Sequence, residues 1–291
     1  MTKIAFTKMH GCGNDFILID ERDGGVPDEK KGAIARSLCQ RKFSVGADGV
    51  LYLSKPTTDA YDVRMQIFNA DGSKAEMCGN GMRCFAKYVY ERGIVQSRKI
   101  KVETLAGLIV PEVEVDGNDV VTSTRVFMGQ PVFERIDEPF FVNDEVGTIK
   151  MTTLSLGNPH AIVILDSFDE FDVDAVGKAI ELHPAFPNKT NVDFVKSLKG
   201  FLSHESERHN YEVKEIQVRT YERGVGETLS CGTGSTASVL TLNKLGFVNK
   251  NEPVIVHTLG GDLVVEVKEE GAYLQGPAEE VYEGVVEVWI E

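Results

Sequence analysis

The feature that most constrains this chain is that it resembles itself. Met77-Cys78-Gly79-Asn80-Gly81 returns as Ser230-Cys231-Gly232-Thr233-Gly234, an offset of 153 residues, and the flanks keep step. Asn69 and Glu222 each lie nine residues before their cysteine, and Gly93 and Gly246 each follow by fifteen. Glu103–Gly107 is echoed by His257–Gly261 with a one-residue slip, and Gly13-Asn14-Asp15-Phe16 by Gly157-Asn158-Pro159-His160. Several landmarks recurring in one order mark a duplicated architecture. We read two homologous halves.

Each half has the same grammar. Stretches with β-branched alternation occur at Tyr61–Phe68, Lys99–Thr104 and Ile109–Val115, and again at Val213–Tyr221, Val254–Thr258 and Leu263–Val267. Asn14 and Asn158 each lead into a further apolar strand, Ile17–Ile19 and Ala161–Leu165. One amphipathic helix follows each cysteine. In the first, Met82, Phe85, Ala86 and Val89 share a face and Gly93 supplies a left-handed stop. Runs of strands around a single helix per half predict an α+β fold rather than alternating βαβ units. We expect two pseudo-symmetric domains, each a mostly antiparallel curved sheet around a central helix, with the site in the cleft between them. The expected division is residues 1–126 with a closing strand at 278–291 for the first half, and 127–277 for the second.

Charge narrows the partners. The 291 residues hold 31 Lys and Arg against 45 Asp and Glu, a net charge of −14. That balance repels polyphosphate and anionic lipid, so neither nucleic acid nor a membrane surface is an expected partner. The amino terminus lacks a signal-peptide core and no apolar run approaches a membrane span. Five cysteines without an export signal are expected to be reduced thiols in a cytoplasm. A metal centre from His10, Cys12 and Cys39 lacks paired ligand spacing, so no metal is expected. Gly232–Ala237 fits a loose dinucleotide-loop pattern, but its preceding strand ends near Tyr221, too early for that role.

Cys78 and Cys231 carry the chemistry. Each falls in the first turn of its helix, where unpaired amides and the positive dipole end favour a thiolate and can also hold a carboxylate. Equivalent thiols turned toward one cleft by a pseudo-two-fold axis suit one reaction class. One removes a proton from a stereocentre and the other returns a proton to the opposite face. The bland reading, a small buried hydrophobe, is retained for Cys12, Cys39 and Cys84.

At this point a family resemblance enters. His10–Phe16, Phe68–Ser73, Met77–Cys84, Gly157–His160, Asn191–Phe194 and Tyr221–Gly224 running on to Cys231–Gly234 resemble, in order, the motifs of diaminopimelate epimerase. The resemblance implies a cofactor-independent enzyme interconverting LL- and meso-2,6-diaminopimelate on the way to lysine and peptidoglycan precursors. It implies Cys78 and Cys231 as the acid/base pair, with His160 and Glu222 tuning them. Asn14, Asn69, Asn158, Asn191, Glu222 and Arg223 would hold the substrate, with Gly79, Asn80, Gly232 and Thr233 around the reacting carboxylate. A homodimer is admitted as an assembly. Many members carry Gln where this chain has Gly49, so that contact is absent here. The nearest rival is a proline racemase or hydroxyproline epimerase. The rival of another class is a redox-responsive amino-acid-binding protein closing a Cys78–Cys231 disulfide.

Overall fold

A computed structural model of the chain describes residues 2–198 and 213–288. The acidic run Glu205–Glu215, whose interspersed basic residues predict a solvated loop and helix face, lies outside the described residues up to position 212. The chain divides into two compact units, residues 1–127 with 275–291, and residues 128–274.

The first unit begins with β1 (Thr2–Gly11) and β2 (Asn14–Asp20), then α1 (Lys31–Leu38), β3 (Gly49–Ser54), β4 (Val63–Asn69) and β5 (Lys74–Ala75). It continues with α2 (Gly79–Glu91), β6 (Val102–Thr104), β7 (Gly107–Ile109), β8 (Glu112–Val115) and β9 (Val121–Gly129), which runs to the border of the unit. The strand order is β1-β2-β3-β4-β6-β7, with β5 beside β4 and the C-terminal strand Glu279–Val288 antiparallel to β1 on the outer edge. The pairs β2–β3 and β4–β6 are parallel, and the other pairs are antiparallel.

The second unit repeats this wiring. It contains β10 (Val132–Asn143), β11 (Gly147–Ser155), β12 (Pro159–Ile164), α3 (Val173–Glu181), β13 (Asn191–Ser197) and β14 (Glu215–Glu222). Then come β15 (Gly226–Thr228), α4 (Gly232–Lys244), β16 (Pro253–Thr258), β17 (Gly261–Lys268) and β18 (Gly271–Gly276). The order is β10-β11-β12-β13-β14-β16-β17-β18 with β15 beside β14, and the parallel pairs are β12–β13 and β14–β16. The repeat read from the sequence is therefore a repeat of topology.

Among the described residues each unit holds two α-helices where the sequence predicts one. The reason is topological. Two parallel pairs per unit need two crossover connections, and α1 and α3 supply the first of them. Asp172 caps α3, its side chain accepting from the Ala175 amide at 2.9 Å, and Val173, Gly177 and Ile180 are buried. The predicted strand Ile109–Val115 is also broken, into β7 and β8, at Pro111, which has no N–H to give a ladder.

Both faces of the first sheet are covered. Val50 and Tyr52 pack with Ile34 and Leu38 of α1, while Leu51 lies beside Gly81 of α2. All of Val50–Leu53 is fully buried, hence the unbroken apolar run in sequence. In α4 burial extends around the helix, and Thr236 and Ser238 satisfy their hydroxyls on the Gly232 and Gly234 carbonyls at 2.8 Å. The two central helices stop at Gly93 (φ +64°) and Gly246 (φ +81°), both left-handed.

Candidate active site

Cys78 and Cys231 are the N-cap residues of α2 and α4. Both have extended backbone, φ −145° and ψ 118° against φ −117° and ψ 112°. Each Sγ accepts the amide of the third helical residue, Gly81 or Gly234, at 3.4 Å. In this position an oxygen-bearing side chain is usual. Sulfur there gains the dipole end of the helix and keeps one lone pair on a backbone donor, an arrangement that favours the anion.

In the first unit Asn14 follows a two-residue turn. Cys12 (φ +54°) and Gly13 (φ +82°) both adopt positive φ between the paired residues Gly11 and Asn14, the primed hairpin geometry. That turn delivers Asn14 to the start of α2. A chain of hydrogen bonds then fixes its amide. Arg83 Nη1 donates to Asn80 Oδ1 at 2.8 Å, Asn80 Nδ2 to Asn14 Oδ1 at 3.1 Å, and Asn14 Nδ2 to Asp48 Oδ2 at 2.8 Å. The guanidinium can only donate and the carboxylate accepts, so the two ends set both amide orientations. Asn14 Oδ1 consequently faces the Cys78 thiol, 3.9 Å away.

Arg83 is the functional neighbour that the sequence motif contained but did not explain. It is fully buried, donates also to the Pro277 carbonyl at 3.1 Å and reaches Cys12 Sγ at 3.8 Å. Burial depresses its pKa, opposed by the charges of Cys12, Cys84 and Cys78 nearby. At the other end of the chain, Asp48 binds Arg41 at 2.6 Å. Asp15 is half-buried, which alone would raise its pKa. Hydrogen bonds from Arg41 and Lys8 overcome that and hold it at about 2.

In the second unit Asn158 Nδ2 donates to Thr233 Oγ1 at 3.2 Å, and Thr233 Oγ1 lies 3.4 Å from Cys231 Sγ. This mirrors Asn14 with Asn80, position for position. Asn191 donates to the Pro159 carbonyl and accepts the Arg223 amide, both at 3.0 Å. Glu222 accepts from Thr228 at 2.7 Å. His160 Nδ1 lies 2.7 Å from Asp193 Oδ2, and Thr220 donates to Asp193 Oδ1 at 2.7 Å, all three groups buried. Among the described residues, Asn158 Oδ1 and His160 Nε2 are buried without a hydrogen-bond partner. Two unpaired buried polar atoms are places where a ligand can be met. The pKa of Cys231 is pushed well up, by burial first and then by the charges of Glu222 and Asp193.

Two expected substrate residues stand apart from these clusters. Asn69 is exposed at the end of β4, donating to Ser73 at 3.0 Å, and the exposed Arg223 side chain donates to the Asn188 carbonyl at 3.3 Å. Gly49 opens β3 beside Phe16 and Asn69, where Asn191 stands in the other unit. A Cβ at Gly49 would meet the Phe68 carbonyl at 2.8 Å, so the backbone as it stands has no room for a glutamine there.

The sequence profile of diaminopimelate epimerase matches residues 6–134 and 152–281. The diaminopimelate epimerase of Methanocaldococcus jannaschii is 45% identical, covering 96% of this chain and 97% of its own. That of Methanocella arvoryzae is also 45% identical, over 99% and 98%. Among solved structures, a probable proline racemase from Agrobacterium radiobacter superposes with a TM-score of 0.72 at 18% identity, covering 99% of this chain and 93% of its own. A hydroxyproline epimerase from Agrobacterium vitis gives 0.73 at 16%, covering 98% and 92%. At such identities the likeness is one of fold. Among the described residues no helix is long and apolar enough to cross a membrane.

Proposed function

The chain belongs to the diaminopimelate epimerase family, and from that premise we propose that it interconverts LL- and meso-2,6-diaminopimelate without a cofactor, Cys78 and Cys231 serving as base and acid. The observation that carries the reading is one thiol-capped helix start built twice, with the same 3.4 Å amide contact to sulfur. A two-base racemisation uses one such group on each face of the carbon, and a binding protein needs neither.

The first-turn amides, at Gly79 and Asn80 and at Gly232 and Thr233, are donors for the carboxylate whose charge grows as the α-proton leaves. A thiolate takes that proton and becomes a thiol. The opposite thiol gives up its proton to the other face of the carbon and becomes the thiolate. The two sulfurs have then exchanged states, so reversal needs no further group. Burial and the Glu222 and Asp193 charges raise the pKa of Cys231, which suits it to the acid's role. Asn14, Asn69, Asn158, Asn191, Glu222 and Arg223 supply the donors and acceptors that a substrate with two carboxylates and two ammonium groups requires. A monofunctional amino acid would leave some of them unpaired, a strong basis for rejection. Free thiols that must stay reduced to work suit a cytoplasm.

The test is epimerisation of LL-diaminopimelate in deuterated water, with label followed at the α-carbon. The intact protein should incorporate solvent deuterium, and Cys78→Ala or Cys231→Ala should each lose turnover by about 10²–10⁴-fold or more. Near-normal turnover in either variant, or racemisation of proline in preference, would reject the assignment.

A further inference from the structure

We infer that Asp193 is a positioning residue that commits His160 to the tautomer protonated at Nδ1, leaving Nε2 as a bare acceptor for the epimerase chemistry. The inference rests on the epimerase reading for its purpose and on geometry for its content. Both oxygens of Asp193 are engaged at 2.7 Å, Oδ1 by the Thr220 hydroxyl and Oδ2 by His160 Nδ1. An ionised carboxylate can only accept, so Nδ1 must carry the proton. At zero exposure the carboxylate has a polar seat. A Cβ at Gly234 would overlap Oδ1, which puts the carboxylate directly against the first turn of α4 and its positive dipole end.

The repeat supplies the control that makes this more than packing. In the register, Phe16 faces Gly49 as His160 faces Asn191, so Leu51 stands where Asp193 does. Ile67 likewise stands where Thr220 does, two residues before Asn69 as Thr220 is two before Glu222. The first unit fills these three places with Phe, Leu and Ile. The same fold is thus satisfied without any polar group there. A buried charged triad in one unit alone is a costly way to fill space, and its unpartnered Nε2 points to a chemical use.

In this tautomer Nε2 carries no hydrogen and can accept from a donor group at the candidate site. In the other tautomer Nε2 carries hydrogen and can only donate there.

Nitrogen-15 NMR of histidine-labelled protein reads the tautomer without reference to any substrate, His160 being assigned by its loss in His160→Phe. The expected result is a neutral ring protonated at Nδ1. In Asp193→Asn, Thr220 and the helix end keep oxygen at the Oδ1 position. The amide NH2 then faces His160, and the proton should move to Nε2. Turnover of diaminopimelate should fall by about 10²–10⁴-fold in kcat, the range seen when a catalytic histidine loses its orienting partner, with KM changed by less than about threefold. The triple variant His160→Phe, Asp193→Leu, Thr220→Ile copies the first unit and should fold with an undiminished melting temperature while inactive. An Nε2–H ring in the unaltered protein overturns the inference. So does Asp193→Asn with a switched tautomer and turnover within threefold, or with lost turnover and an unswitched tautomer. If the unaltered protein shows the expected tautomer but no diaminopimelate turnover, the epimerase reading fails and the tautomer assignment alone survives.

Discussion

Gly81 and Gly234 occupy the same third position of two equivalent helices, yet alanine should have different consequences at each. At Gly81 a new Cβ would lie 3.2 Å from Leu51 Cδ2, 3.5 Å from Phe16 Cζ and 3.6 Å from Cys78 Cβ. The nearest of these is the end of a flexible side chain that can give by a few tenths of an ångström. Alanine also improves helix propensity by up to about 1 kcal/mol, so Gly81→Ala should leave stability within about 0.5 kcal/mol. At Gly234 the Cβ would overlap Asp193 Oδ1 and stand 2.9 Å from its Cγ and 3.0 Å from Thr220 Oγ1. The carboxylate cannot swing away without lengthening a 2.7 Å hydrogen bond on one side or the other. Overpacking costs about 1–3 kcal/mol, and a weakened hydrogen bond to a charged group about 1.5–3 kcal/mol. Less the propensity gain of about 1 kcal/mol, Gly234→Ala should be destabilised by about 2–5 kcal/mol. In a chain of this size that corresponds to a fall of roughly 5–15 °C in Tm by scanning calorimetry. If the two variants melt within about 2 °C of one another, the account of a carboxylate seated on the helix start is wrong.

Alkaline instability should follow from buried thiols. Burial is the leading cause in raising Cys39 to about 11, Cys84 to about 12 and Cys231 well above the ordinary 9.0. Above pH 9 the unfolded chain sheds these protons while the folded one retains them, so stability present below that pH is lost as pH rises toward the folded values. Each thiol adds a slope of up to about 1.4 kcal/mol per pH unit. Urea midpoints measured from pH 8 to 11 should fall, and less steeply in Cys84→Ala; a flat profile would contradict the burial argument. Arg83→Lys should cost about 2–4 kcal/mol, because a single ammonium cannot serve Asn80, Pro277 and Cys12 together. Urea unfolding checks this, and a change under about 0.5 kcal/mol would deny Arg83 its place at the head of the amide chain.

The two thiols were legible because the sequence states them twice with the same neighbours. The central helices were legible for the same reason, through an apolar stripe closed by Gly93 and Gly246. The helices α1 and α3 were not. Eight and nine residues long, they fall short of the roughly 10–12 residues by which a helical pattern is told from a strand, and only the parallel pairing of β2 with β3 and of β12 with β13 makes a crossover necessary. Asp193 sat in a motif as one letter beside Asn191. Nothing local distinguishes a strand residue that meets a histidine one strand away from one that meets a leucine.

The sequence alone determined the duplication, the α+β character and the placing of a cysteine at each central helix start. These are properties of spacing and composition, carried by residues close together in the chain. Tertiary structure decided which polar atoms meet. It set the orientation of the Asn14 and Asn80 amides through Arg83 and Asp48, the binding of His160 by Asp193, and the shortage of space at Gly49 and Gly234. Apart from Arg83 with Asn80, those contacts join residues far apart in the chain. Hydrogen bonding and excluded volume depend on ångström distances that no period in a linear string encodes.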